Sequence, residues 1–253
     1  MSRKIAPSIA AGVLLSVLSL APWAEAHYLW IETAAPAESQ KPRTVRVYYG
    51  EFEESLRERA GGRLDEVGKI QAWVTGPEQT QLEVACEKQD EYFEGVIPEK
   101  GGSHTVLVQL QELNRPVQDW RKYSIGIVKP NFYASALALG EGDAGSVDRT
   151  LDVPAVRTTL GVYPLRVGSD LVLQVFFRGK PLPQAKVNVH AQNGWSKELN
   201  TDASGGVHVA APWAGQYVIE VIHLEHTPGE FQGASYEAVR HRATFTWTAG
   251  ERV

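Results

Sequence analysis

Seven histidines, one cysteine and one methionine define the transition-metal ligands this chain can offer. The most informative of them is His27. It follows Ala24-Glu25-Ala26, the small-x-small triplet that signal peptidase cuts. Cleavage after Ala26 makes His27 the first residue of the mature protein. The free α-amine and the imidazole Nδ1 of one residue can then close on a single cation. Neutral imidazole is the commonest protein metal ligand, and copper, nickel, cobalt and zinc suit such a nitrogen pair. The plain alternative is a cut site with no further role, frayed like most termini.

A terminal chelate needs a further ligand. The other histidines are His104, His190, His208, His223, His226 and His241. Residues two apart on a strand share a face, so His223 and Glu225 point to one side while His226 points away. His223 with Glu225 is therefore the best second metal-ligand candidate beside His27. His241 alternates with Val239, Ala243, Phe245 and Trp247 and reads as a hydrogen-bonded core histidine. His190, beside Gln192 and Asn193, and His104, after Gly101-Gly102-Ser103, read as surface residues. His223-Leu224-Glu225-His226 lacks the one-turn histidine spacing of a helical zinc protease. No nucleophile elbow, phosphate loop or dinucleotide fingerprint is present. The expectation is a binding protein without catalytic residues. Glu53-Glu54 and Asp65-Glu66 read as solvated pairs, and Tyr28, Trp30, Tyr48, Tyr49 and Phe52 as core aromatics.

The leader fits residues 1–26: Arg3 and Lys4 supply positive charge, and Ile5 to Leu20 an apolar core broken by Pro7, Gly12 and three serines. The mature product is expected in a bacterial periplasm, with no membrane insertion after cleavage. The chain carries a net charge of −5, which disfavours nucleic-acid binding. Met1 is the sole methionine, so the mature chain has no thioether for a methionine-rich copper(I) carrier. Cys86 is alone, which rules out an intramolecular disulfide; it lies in an alternating run and reads as a small apolar residue.

The elements that must hold these residues are β-strands. Period-two runs rich in β-branched and aromatic residues recur along the chain, punctuated by Gly, Pro, Asn and Asp. The stretch from Glu51 to Glu66 lacks alternation and predicts a loop with a helical turn. Asn131–Leu139 is compatible with either a strand or a connecting helix. A glycine-rich stretch from Gly140 to Ser146 reads as a connector. The expected organisation is all-β: a leader over 1–26, an N-terminal β domain over 27–154 and a second β-sandwich over 155–253.

In the second half, Gly179-Lys180-Pro181-Leu182-Pro183-Gln184-Ala185-Lys186-Val187, then Thr201-Asp202-Ala203-Ser204-Gly205, then Gly215-Gln216-Tyr217 resemble a prealbumin-like or carboxypeptidase-regulatory-like sandwich. The first half adds Ala26-His27-Tyr28-Leu29-Trp30-Ile31-Glu32 and Val45-Arg46-Val47-Tyr48-Tyr49-Gly50-Glu51, and the chain closes with Arg240-His241-Arg242-Ala243-Thr244-Phe245. Together these resemble the DUF4198 family. The resemblance implies an exported two-part β protein associated with nickel and cobalt uptake, with copper as a further candidate. It also implies a role for the mature terminal histidine, carried over onto His27. Partners implied are the metal ion and an inner-membrane metal transporter or outer-membrane receptor. Two other readings stand beside it: a binding or scaffolding module docking through a sheet edge, and a histidine-brace copper oxygenase.

Overall fold

The computed structural model describes residues 27–33, 42–75, 80–98, 105–140, 157–168 and 170–250, with the backbone of 149–150. The leader, His104 and the expected domain boundary near residue 155 lie outside the described residues.

The described chain is all-β, with two short 3-10 turns at Arg63–Glu66 and Arg121–Tyr123. Its centre is a nine-stranded sheet built from both halves of the sequence. The two longest strands, Ile127–Ala138 and Ala238–Ala249, lie side by side and parallel at its middle. Ile70–Thr75, Gln81–Val84 and Val106–Glu112 extend it on one side, where the two-residue strand Gln118–Asp119 also pairs with Ile127–Ala138. Lys186–Ala191, Ser196–Asn200 and Gly215–Glu225 extend it on the other.

Two further sheets cover opposite faces of this layer. One begins with Tyr28–Thr33 paired antiparallel to Thr44–Glu51. Its Leu29, Ile31, Val45 and Val47 form one core with Phe132, Ala134 and Ala136. The other contains Leu160–Val167, Asp170–Phe177 and Gly206–Ala210, and its Val162, Leu171 and Val209 form a second core with Tyr133, Ala243 and Phe245. Even and odd positions of one strand thus enter different cores. The molecule is two β-sandwiches that share a sheet.

Burial on both faces explains why Asn131–Leu139 carries no polar alternation. Ile127–Ala138 is a strand, and the helical alternative falls. Between Glu51 and Glu66 the chain forms a tight turn, a two-residue strand at Leu56–Arg57 and the first 3-10 turn, close to the expected loop with a helical turn.

Candidate metal centre

His27 is held from the backbone outward. The register pairs Tyr28 with Gly50, which brings Glu51 across from His27. From the central strand Ala238–Ala249, Arg242 Nη1 donates to the His27 carbonyl at 2.8 Å and Thr244 Oγ1 to the Leu29 carbonyl at 2.7 Å. These two donors are two residues apart, as are the carbonyls they take. The first strand is pinned to the sheet face.

Arg242 is itself anchored by an ion pair with Glu220, which is 3% exposed. Burial alone would push the Glu220 carboxyl up. The Arg242 guanidinium and His190 outweigh it, so Glu220 stays well below the usual carboxylate range. Arg242 also lies 4.8 Å over the Tyr28 ring, whose hydroxyl donates to Glu53 at 2.5 Å. Burial, reinforced by the Glu53 charge, pushes the Tyr28 phenol far up, and it stays protonated.

The hairpin beyond Gly50 brings in the carboxylates. Gly50 has φ +153°, and a Cβ there would meet the Leu56 carbonyl oxygen at 2.1 Å. Ser55 N–H donates to the Phe52 carbonyl at 3.0 Å to close the turn, and Glu58 N–H donates to the Tyr49 carbonyl at 2.9 Å. Glu51 and Glu58 consequently both face the His27 ring.

The His27 ring is 7% exposed, and its two nitrogens have different surroundings. Nε2 lies 2.5 Å from Glu58 Oε1 in hydrogen-bond geometry. Arg63 Nη1 stands 3.4 Å from the same nitrogen. Nδ1 lies 2.9 Å from Glu51 Oε1. That separation suits an ion pair, yet the alignment fails as a hydrogen bond, and Nδ1 is buried without a hydrogen-bond partner. Glu58 thus anchors the ring through Nε2, and Nδ1 is the nitrogen turned toward Glu51. Nδ1 is also the nitrogen that can chelate together with the residue's own amine. The residues therefore fit a metal held at the His27 ring. Among the described residues, no group of three or more His, Cys, Asp or Glu side chains is placed to hold a metal ion.

His223 and Glu225 lie elsewhere. His223 pairs directly across from His241, on the sheet face opposite the one from which Arg242 reaches His27. The structure does not bring this pair to His27. Instead, Glu225 accepts from Arg178 at 2.7 and 3.1 Å and sits 3.1 Å from His241 Nε2. Burial would raise the Glu225 carboxyl, but His241 and Arg178 hold it low. His241, 2% exposed, also meets the Tyr133 hydroxyl at Nδ1. It is the hydrogen-bonded core histidine expected from its alternation. His223 packs on the Phe177 ring at 4.2 Å, and burial lowers its pKa.

His190 differs from the surface position expected of it. Its side chain is 12% exposed, between Glu53 and Glu220 at 3.6 and 3.5 Å, because the turn carrying Glu53 packs over the strand end. Glu54, Asp65 and Glu66 are exposed as expected, whereas Glu53 is partly buried against Tyr28. The five early aromatics are all core residues. Burial pushes the Cys86 thiol up to about 11, which makes it unreactive.

Sequence reasoning singled out His27 as a candidate and did not anticipate the carboxylates Glu51 and Glu58 beside its ring. The available signal was the antiparallel register of the two opening strands, which sets Glu51 opposite His27.

Fold and site define an all-β protein of shared-sheet sandwiches that clamps a ligand-type histidine at the start of its first strand. The chain belongs to the DUF4198 family: that model, described as a domain of unknown function, matches residues 24–225. The match covers His27, Glu51 and Glu58 and stops before the strand that carries Arg242. No curated protein matches the chain. Among solved structures, a similar chain comes from "Structural insight into host cell surface retention of a 1.5-MDa bacterial ice-binding adhesin". The identity is 11% and the TM-score 0.23, over 88% of this chain and 64% of that one. The chain thus spans less than two thirds of that structure's length, and a likeness of this size carries no argument.

Proposed function

We propose that this chain is an exported, non-catalytic protein that binds a transition metal ion and delivers it to a partner at the membrane. The metal is nickel or cobalt by family resemblance, with copper compatible with the same donors. The primary ligands are the α-amine and Nδ1 of His27 after removal of the leader. The carrying observation is that Nδ1 of His27 is buried without a hydrogen-bond partner, while Nε2 is held by Glu58. Leaving a buried polar nitrogen unsatisfied costs about 1–3 kcal/mol, which a bound cation offsets. Glu58 supplies the carboxylate–histidine contact that orients metal-bound imidazoles. The periplasm remains the compartment this reading requires.

The test uses mature protein beginning at His27 and a variant with one alanine added ahead of it. Isothermal titration with nickel, cobalt and copper ions is expected to show affinity at least about tenfold weaker in the extended variant. Equal affinity in the two proteins removes the terminal amine from the site and overturns the proposal.

A further inference from the structure

We infer that Glu51 is the third protein ligand of this centre, and that the site is built for a tetragonal divalent ion, copper(II) or nickel(II), in preference to zinc. The inference rests on the terminal chelate proposed above and goes beyond it in naming a ligand and a metal class.

Two observations lead to it. The first is a distance. Donors about 2.05 Å from one metal and about 90° apart stand about 2.9 Å from each other, whereas tetrahedral placement separates them by about 3.35 Å. Nδ1 of His27 and Oε1 of Glu51 are 2.9 Å apart. That separation matches the edge of a square or octahedron, the geometry preferred by copper(II) and nickel(II) with nitrogen and oxygen donors. The same distance suits an ion pair of the two side chains, but Nδ1 is not aligned to donate a hydrogen bond to Glu51.

The second is charge. The Glu51 side chain is 10% exposed, and among the described residues its one ion-pair partner is this same misaligned imidazole. A buried carboxylate requires a cation or well-aligned donors. The neighbouring acids differ on this point. Glu220 has Arg242, and Glu53 accepts from the Tyr28 hydroxyl. Glu51 instead faces His27 Nδ1, the ring nitrogen without a hydrogen-bond partner. Amine, imidazole and carboxylate together give a donor set of two nitrogens and one oxygen with a single negative charge. Such a set suits divalent ions and, lacking sulfur, disfavours copper(I).

The experiment titrates copper(II), nickel(II) and zinc(II) into three mature proteins: the native chain, Glu51→Gln, and the chain extended by one alanine before His27. Melting curves establish that each is folded. The native protein is expected to bind nickel(II) more tightly than zinc(II). Glu51→Gln is expected to lose at least about tenfold in copper(II) and nickel(II) affinity. If Glu51→Gln binds within twofold of native while the extended chain is weakened, Glu51 is not a ligand and the terminal chelate stands. If the extended chain binds like native, the chelate itself fails. Should Glu51→Gln not fold, a crystal structure of copper-loaded native protein decides. A Glu51 oxygen at about 2.0–2.2 Å from the metal supports the assignment, and one beyond coordinating distance overturns it.

Discussion

His27 combines two roles that are usually separate. Its carbonyl is a structural acceptor for Arg242, and its ring presents one nitrogen anchored by Glu58 and one buried nitrogen that faces Glu51 without a hydrogen bond. Glu58 should therefore act through the ring without touching the metal. Glu58→Gln is expected to weaken metal affinity about 10- to 100-fold in a calorimetric titration, with little change in stability. Arg242 should behave in the opposite way. Arg242→Met leaves Glu220 buried without its guanidinium, which costs about 3–5 kcal/mol in denaturant unfolding. Replacing both partners should cost less than that, because no uncompensated charge remains. His27 was legible because the cleavage triplet and the residue type are local. Glu51 and Glu58 were not, since both sit in or beside a charged stretch that reads as solvated until its hairpin is folded back.

Elements convert these residues into a site through register and turn geometry. Gly50 lets the second strand turn against Leu56, so Gly50→Ala must push the hairpin away from it. The variant should lose about 1–3 kcal/mol of stability and also bind metal more weakly, because Glu51 and Glu58 move with the hairpin. On the far side of the central sheet, the cross-strand pair His223 and His241 makes a prediction about acid. Burial lowers both pKa values below their ordinary 6.5, against the opposing pull of Glu225. The unfolded chain then takes up protons near pH 6.5 that the folded chain refuses. Stability associated with these rings is present above that pH and is lost as pH falls below it. Glu225, held low, resists acid until well below the ordinary carboxylate value. Denaturant unfolding between pH 7.5 and 5.5 should show this slope, and His241→Gln should flatten it. A slope unchanged in the variant would refute the assignment.

At the scale of the molecule, the nine-stranded sheet draws strands from both halves and pairs Ile127–Ala138 directly with Ala238–Ala249. The first sheet rests on the same layer, so His27 is clamped by strands distant in sequence. Thermal unfolding followed by calorimetry and by tryptophan fluorescence should give one coincident transition. Two separated transitions would show that the halves melt independently despite the shared sheet. A native-state metal ligand should raise that single transition, and the one-residue extension should abolish the rise.

Strand period, turn residues and the cleavage triplet are properties of neighbouring residues, so the sequence by itself determined the all-β class, the candidate terminus and the identity of His27. It also marked His241 as a core histidine, because alternation reports which face a side chain takes. Tertiary structure alone decided that both faces of Ile127–Ala138 are buried, that His223 and Glu225 face away from His27, and that His190 is enclosed by acids. The physical reason is that a ligand set is defined by distances across strands. Those distances depend on register, hairpin closure and the packing of sheets on one another, which no local pattern encodes. The candidate residue His27 was readable from its neighbours in the chain; the carboxylates around its ring became readable only when the chain had folded.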